Sequence, residues 1–171
     1  MERPLPEEYE SSYLKYYIDL VQGDDAIKAL EALQQSTHKL LKLINEEQAA
    51  YRYAEGKWML KEVVGHMIDT ERIFTYRALC ISRGEKQSLP GYEENDYALA
   101  ANYRDRSISD IAAEYKAVKE ASISFFKSLN DEMLGRSGSA NGNKINVKTI
   151  LYVLAGHETH HINVIRTKYF S

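Results

Sequence analysis

Cysteine is nearly missing from this sequence. Cys80 stands alone among 171 residues, so no internal disulfide can form, and a cytoplasmic location is expected. No apolar run approaches the roughly 20 residues of a membrane span, and "MERPLPEEYE" lacks the apolar stretch of a secretory signal. There is no cluster of Lys and Arg, and the net charge is −3. A surface that tracks phosphates normally carries a basic excess, so neither nucleic acid nor membrane is expected as a partner. Internal repeats, low-complexity tracts and long Pro/Gly linkers are also missing, which points to one domain over residues 1–171. What is present is enough to build a core, with 44% hydrophobic and 27% charged residues. Tyrosine is abundant, and Tyr9, Tyr13, Tyr16 and Tyr17 crowd the N-terminus. They are expected to wedge an extended arm, residues 1–23, against the body.

Four segments carry apolar residues at helical spacing. In the first, Ala26, Leu30, Leu33, Thr37, Leu40, Leu41 and Ile44 mark one face behind Asp24 or Asp25 as N-cap. The second runs from about Trp58 to Ser82, and Gly84 suits its stop. In the third, Ser107 is the expected cap, and Ile108, Ile111, Tyr115, Val118, Ser122, Phe125 and Leu129 form the stripe. The fourth runs from about Asn146 to Tyr169. No run of alternating apolar residues argues for a strand, although "ANGN" at 140–143 is turn chemistry suited to a small hairpin. Helices of this kind bury their stripes only against one another, so the expected fold is an all-α, up-and-down four-helix bundle. A long loop joins its helices 2 and 3. Within it, the acidic "GYEENDY" at 91–97 is either a cover over a site or a solvated connection.

The histidines point to chemistry. With a turn of about 100° per residue, His161 falls about 40° from His157, while Ile150, Val153, Leu154 and Val164 lie within about 60° of it. His157 and His161 therefore interrupt the apolar stripe of the fourth helix. His66 does the same on the second, among Met59, Val63, Thr70 and Ile73. An interior imidazole without a partner is costly, and a lone one is usually a hydrogen-bonded core residue. An i, i+4 pair plus one inward histidine on another helix instead supplies three nitrogens that meet in the bundle core, as metal ligands do. "HETHH" also satisfies the H-E-x-x-H signature of zinc proteases, in which the glutamate serves as base. Too few residues follow His161 here for the usual downstream ligand, so His66 is the expected third ligand and an ordinary zinc endopeptidase is set aside. His38 lies beside its stripe and reads as a rim residue. Cys80, about 21 Å along the helix from His66, is too distant to join.

"WMLKEVVGHMIDTERIFTYRALCISRGE", then "LPGYEENDYA", then "GHETHHINVIRTKY" resemble the DinB-like superfamily in its YfiT-type branch, over essentially the whole chain. The specific parts are the GHxxDxER pattern at 65–72 and "HETHHINVI" at 157–165. The resemblance implies a four-helix bundle with a divalent metal ion, zinc or nickel, on three histidines that correspond to His66, His157 and His161. It also implies transferase activity with a low-molecular-weight thiol as co-substrate, or a metal-dependent hydrolase, and commonly a homodimer.

Three histidines leave a position open on a divalent ion, as catalytic sites do. One mechanism is thiol transfer, with the thiol held as thiolate and delivered to a small-molecule electrophile. The other is hydrolysis by activated water, with Glu158 or Asp69 assisting proton transfer. Asp69 alternatively orients His66, and Glu158 alternatively is a solvated helix residue. His160 is a candidate acid/base or a rim residue, because its angle makes joint ligation awkward. A third reading is a metal-stabilised binding module without turnover.

Overall fold

Asp25, Ser107 and Asn146 each open a helix by accepting a hydrogen bond from the backbone N–H three residues on, at 3.2, 3.2 and 2.7 Å respectively. The computed structural model describes residues 2–170. In chain order it contains α1 (Ser12–Leu20), α2 (Ala26–Leu41), α3 (Glu46–Ala50), α4 (Leu60–Ser82) and α5 (Glu94–Ala100). Then follow α6 (Ile108–Lys127), α7 (Asp131–Gly135), the strands β1 (Ser137–Ala140) and β2 (Asn143–Asn146), and α8 (Val147–Val164), which ends in a π-type turn over Ile165–Tyr169. Among the described residues no helix is long and apolar enough to cross a membrane.

The four-helix bundle expected from the stripes is formed by α2, α4, α6 and α8. Around the bundle the order is α2, α6, α4, α8, so α2 and α4 sit diagonally. Two apolar clusters fill it. One contains Leu30 of α2, Ala78 of α4, Phe126 of α6 and Ile150 of α8. The other contains Leu41, Leu60, Ile111 and Ile162 of the same four helices. From the order in which each helix meets the clusters, α4 and α6 run in the same direction rather than alternating. The long connection between them, which carries α5, returns the chain along the bundle and makes this possible.

Two local features differ from expectation. The N-terminal arm is not extended, because residues 12–20 form α1, capped by Ser11 and packed along α8. Gly156 allows that packing: a Cβ there would lie 1.9 Å from the Tyr17 carbonyl oxygen. The hairpin that "ANGN" suggested is present, with Asn141 and Gly142 both at positive φ, the requirement of a type I′ turn. Between the two apolar clusters every bundle helix contributes polar residues: Thr37 from α2, His66, Thr70 and Glu71 from α4, Lys119 from α6, and His157 and Glu158 from α8. This polar layer holds the candidate site.

Candidate metal centre

His66 on α4 and His157 and His161 on α8 converge. The Nε2 of His157 lies 3.0 Å from the Nε2 of His66 and 3.0 Å from that of His161, and one ligating nitrogen from each ring can be chosen so that all lie within 4.8 Å of one another. Metal–nitrogen bonds of about 2.0–2.1 Å at tetrahedral angles place neighbouring donor nitrogens about 3.3 Å apart, so the donors fit a small divalent ion. His66 and His157 are buried and His161 half-buried. Burial holds the imidazoles neutral, as ligands must be, with the neighbouring histidines adding to the effect: His66 falls to about 4, His161 to about 2, and His157 well below its ordinary range.

The surroundings are aromatic on two sides. The Trp58 ring stands 5.0 Å from His66 and the Tyr17 ring 5.4 Å from His157. His160 lies at the rim, where its Nδ1 shares a 2.9 Å hydrogen bond with the Tyr16 hydroxyl. The α1 tyrosines, read as a structural wedge, therefore touch the histidine cluster as well. Sequence reasoning did not single out Glu94. Placed by α5 inside the acidic loop, its Oε2 lies 4.0 Å from His66 Nε2 and its side chain is about half exposed. The only signal for it was the loop's acidity.

The two nominated carboxylates lie elsewhere. Glu158 is not a solvated edge residue but is buried at 2% exposure. Its Oε1 accepts hydrogen bonds from Thr37, at 2.7 Å, and from Tyr115, and its Oε2 is ion-paired with Lys119 at 2.6 Å. With both oxygens engaged it is not free to act as a base at the open side of the cluster. Lys119 also donates to Glu71 Oε2 at 2.8 Å. Burial alone would depress the Lys119 ammonium, but Glu158 and Glu71 together hold it above its ordinary range. Asp69 accepts from the Tyr103 hydroxyl at 3.1 Å and faces Arg72 at 4.0 Å, so its observed partners do not include His66. Burial pushes its carboxyl up, with the Tyr103 bond pulling the other way.

Two cavities meet at the cluster, and Glu94 and Asn95 line both. One, of about 320 Å³, reaches His157 from the side of Tyr13, Thr70, Arg77 and Tyr92. The other, of about 430 Å³, reaches His160 and His161 from the side of Lys57, Trp58 and Tyr169.

Comparison with known proteins fits this geometry. Residues 29–165 match the family model of the DinB superfamily. A protein of Oceanobacillus iheyensis, named as a candidate metal-dependent hydrolase, is 22% identical over 142 residues, covering 82% of this chain and 81% of its own. The structure of YfiT from Bacillus subtilis, described as a probable metal-dependent hydrolase with an unusual four-helix bundle topology, aligns with a TM-score of 0.75 over 95% of each chain at 17% identity, a likeness of fold.

Proposed function

The chain belongs to the DinB superfamily, and we propose that it is a metal-dependent transferase that joins a low-molecular-weight thiol to a small electrophile. His66, His157 and His161 would hold the ion, zinc or nickel, and an ion there supplies Lewis acidity that lowers the pKa of a thiol or water brought to it. The observation that carries the reading is the pair of cavities, one ending at His157 and the other at His161, which gives two reactants separate approaches to one centre. The remaining steps fall to side chains. The Glu94 carboxylate, beside His66 and open to solvent, takes the proton that the thiol releases and passes it to water. Trp58 and Tyr17 pack against ligand rings and line the two cavities with apolar surface beside the centre. Tyr16 fixes His160 at the rim. Glu158, through Lys119, Tyr115 and Thr37, holds the α8 turn that presents His157.

The test is conjugation by the metal-loaded protein, read as loss of free thiol, across epoxides and activated haloarenes with several small thiols. Conjugation that requires the metal and is lost in His66→Ala supports the reading, and no conjugation with any pair ends it. Hydrolysis is the second reading, favoured by the free carboxylate of Glu94 beside His66 and by the descriptions of both relatives. It predicts ester or amide cleavage that needs no thiol and collapses in Glu94→Gln.

A further inference from the structure

We propose that Arg77 anchors an anionic group, a carboxylate or a phosphate, on the small molecule that reaches the three histidines, so that the substrate class is anionic. The proposal deepens the function above and rests on it only for what the rest of that molecule does.

Arg77 lies about three turns beyond His66 on α4 and within about 20° of the same face. Helical side chains lean toward the N-terminus, which brings its guanidinium back along the cavity toward His66. Arg77 is 6% exposed and lines the cavity that ends at His157. Its one polar partner among the described residues is the Pro90 carbonyl, to which Nη2 donates at 2.7 Å. Its carbon Cζ lies 4.9 Å from the Phe74 ring centre and 5.9 Å from that of Tyr92. Among the described residues no carboxylate reaches it at ion-pair distance, although Glu93 and Glu94 line the same cavity and Glu94 faces His66 instead.

A buried charge without a counterion is costly, and aromatic faces offset that only in part. The contrast with Lys119 is direct: that buried cation has two carboxylates at 2.6 and 2.8 Å. Arg77 is a planar fork with N–H groups left over, set between two rings in a cavity that ends at the histidine cluster. Such a fork matches the paired oxygens of a carboxylate or phosphate.

The experiment uses full-length protein loaded with cobalt(II), in which binding of a thiol sulfur is read by charge-transfer absorption. ω-Mercaptocarboxylates of increasing length are compared with the matching ω-mercaptoalcohols. The charged series should bind about ten-fold tighter at its best length. Arg77→Gln should abolish that preference without changing the alcohols, and Arg77→Lys, which keeps the charge but not the fork, should lose part of it. An unchanged preference in Arg77→Gln, or none in the wild type, overturns the proposal. Should Arg77→Gln fail to fold, judged by the cobalt spectrum, Arg77→Lys and the length dependence decide. If no thiol of either series produces the absorption, the thiol reading fails by itself. Calorimetry of metal-free protein with inorganic phosphate and with succinate then decides the anion site and distinguishes the two anions. Binding lost in Arg77→Gln upholds it, and absent or unaltered binding overturns it.

Discussion

Lys119→Met removes the one cation from a buried cluster of two carboxylates. The side chains of Lys119, Glu71 and Glu158 are 3%, 4% and 3% exposed, so water cannot replace the lost ammonium. Removing one partner of a buried ion pair costs about 3–5 kcal/mol, chiefly through the charge left behind. In a chain of this size about 1 kcal/mol moves the melting temperature by about 2–4 °C, so a fall of roughly 6–20 °C is expected. Urea titrations followed by circular dichroism at about pH 7 would measure it. Adding Glu71→Gln and Glu158→Gln to the lysine variant should recover much of the loss. A deficit below about 1 kcal/mol would refute the reasoning and place the cluster in contact with water.

Glu158→Gln keeps an oxygen for Thr37 and Tyr115 but turns an amide toward Lys119, so it should cost about 1–3 kcal/mol in the same titrations. Glu94→Gln, on an exposed side chain, should leave stability within about 0.5 kcal/mol and lower turnover by about 10²–10⁴ in steady-state assays. Metal-free protein should lose stability as pH falls from 6.5 toward 4. His66 is neutral in the fold down to about 4 while the unfolded chain takes up its proton near 6.5, and this one group contributes about 3 kcal/mol. Thermal melts across that window check the direction, and stability that rises on acidification contradicts it. Gly156→Ala should cost about 1–3 kcal/mol by pushing α1 off α8. Amide exchange should then rise first in residues 12–20.

The helix starts were legible because Asp25, Ser107 and Asn146 have side chains that satisfy free N–H groups. The hairpin turn was legible because Asn141-Gly142 tolerates positive φ. His66, His157 and His161 were legible because the 100° step puts them where an aliphatic residue belongs. Glu158 was not, and the reason is packing: α8 is surrounded by α1, α2 and α4, so the side that a helical wheel assigns to water is covered. Its partners Lys119 and Glu71 lie on α6 and α4, and no local spacing links them to it. The helical form of α1 was missed because its tyrosines suggested a wedge, and their contacts with His157 and His160 depend on a close approach that only Gly156 permits. Glu94 comes beside His66 through the crossover, and Arg77 shares a cavity with His157 from about three helical turns beyond His66, relations that become visible only once the directions of α4 and α6 are known.

The most direct measurement is equilibrium zinc affinity, determined by competition with a chelating dye, for the wild type and for alanine variants of each histidine. About one ion per chain should bind, and affinity should fall at least about 100-fold in His66→Ala, His157→Ala and His161→Ala while His38→Ala and His160→Ala stay close to wild type. Tight binding that survives His66→Ala would contradict a centre shared between α4 and α8.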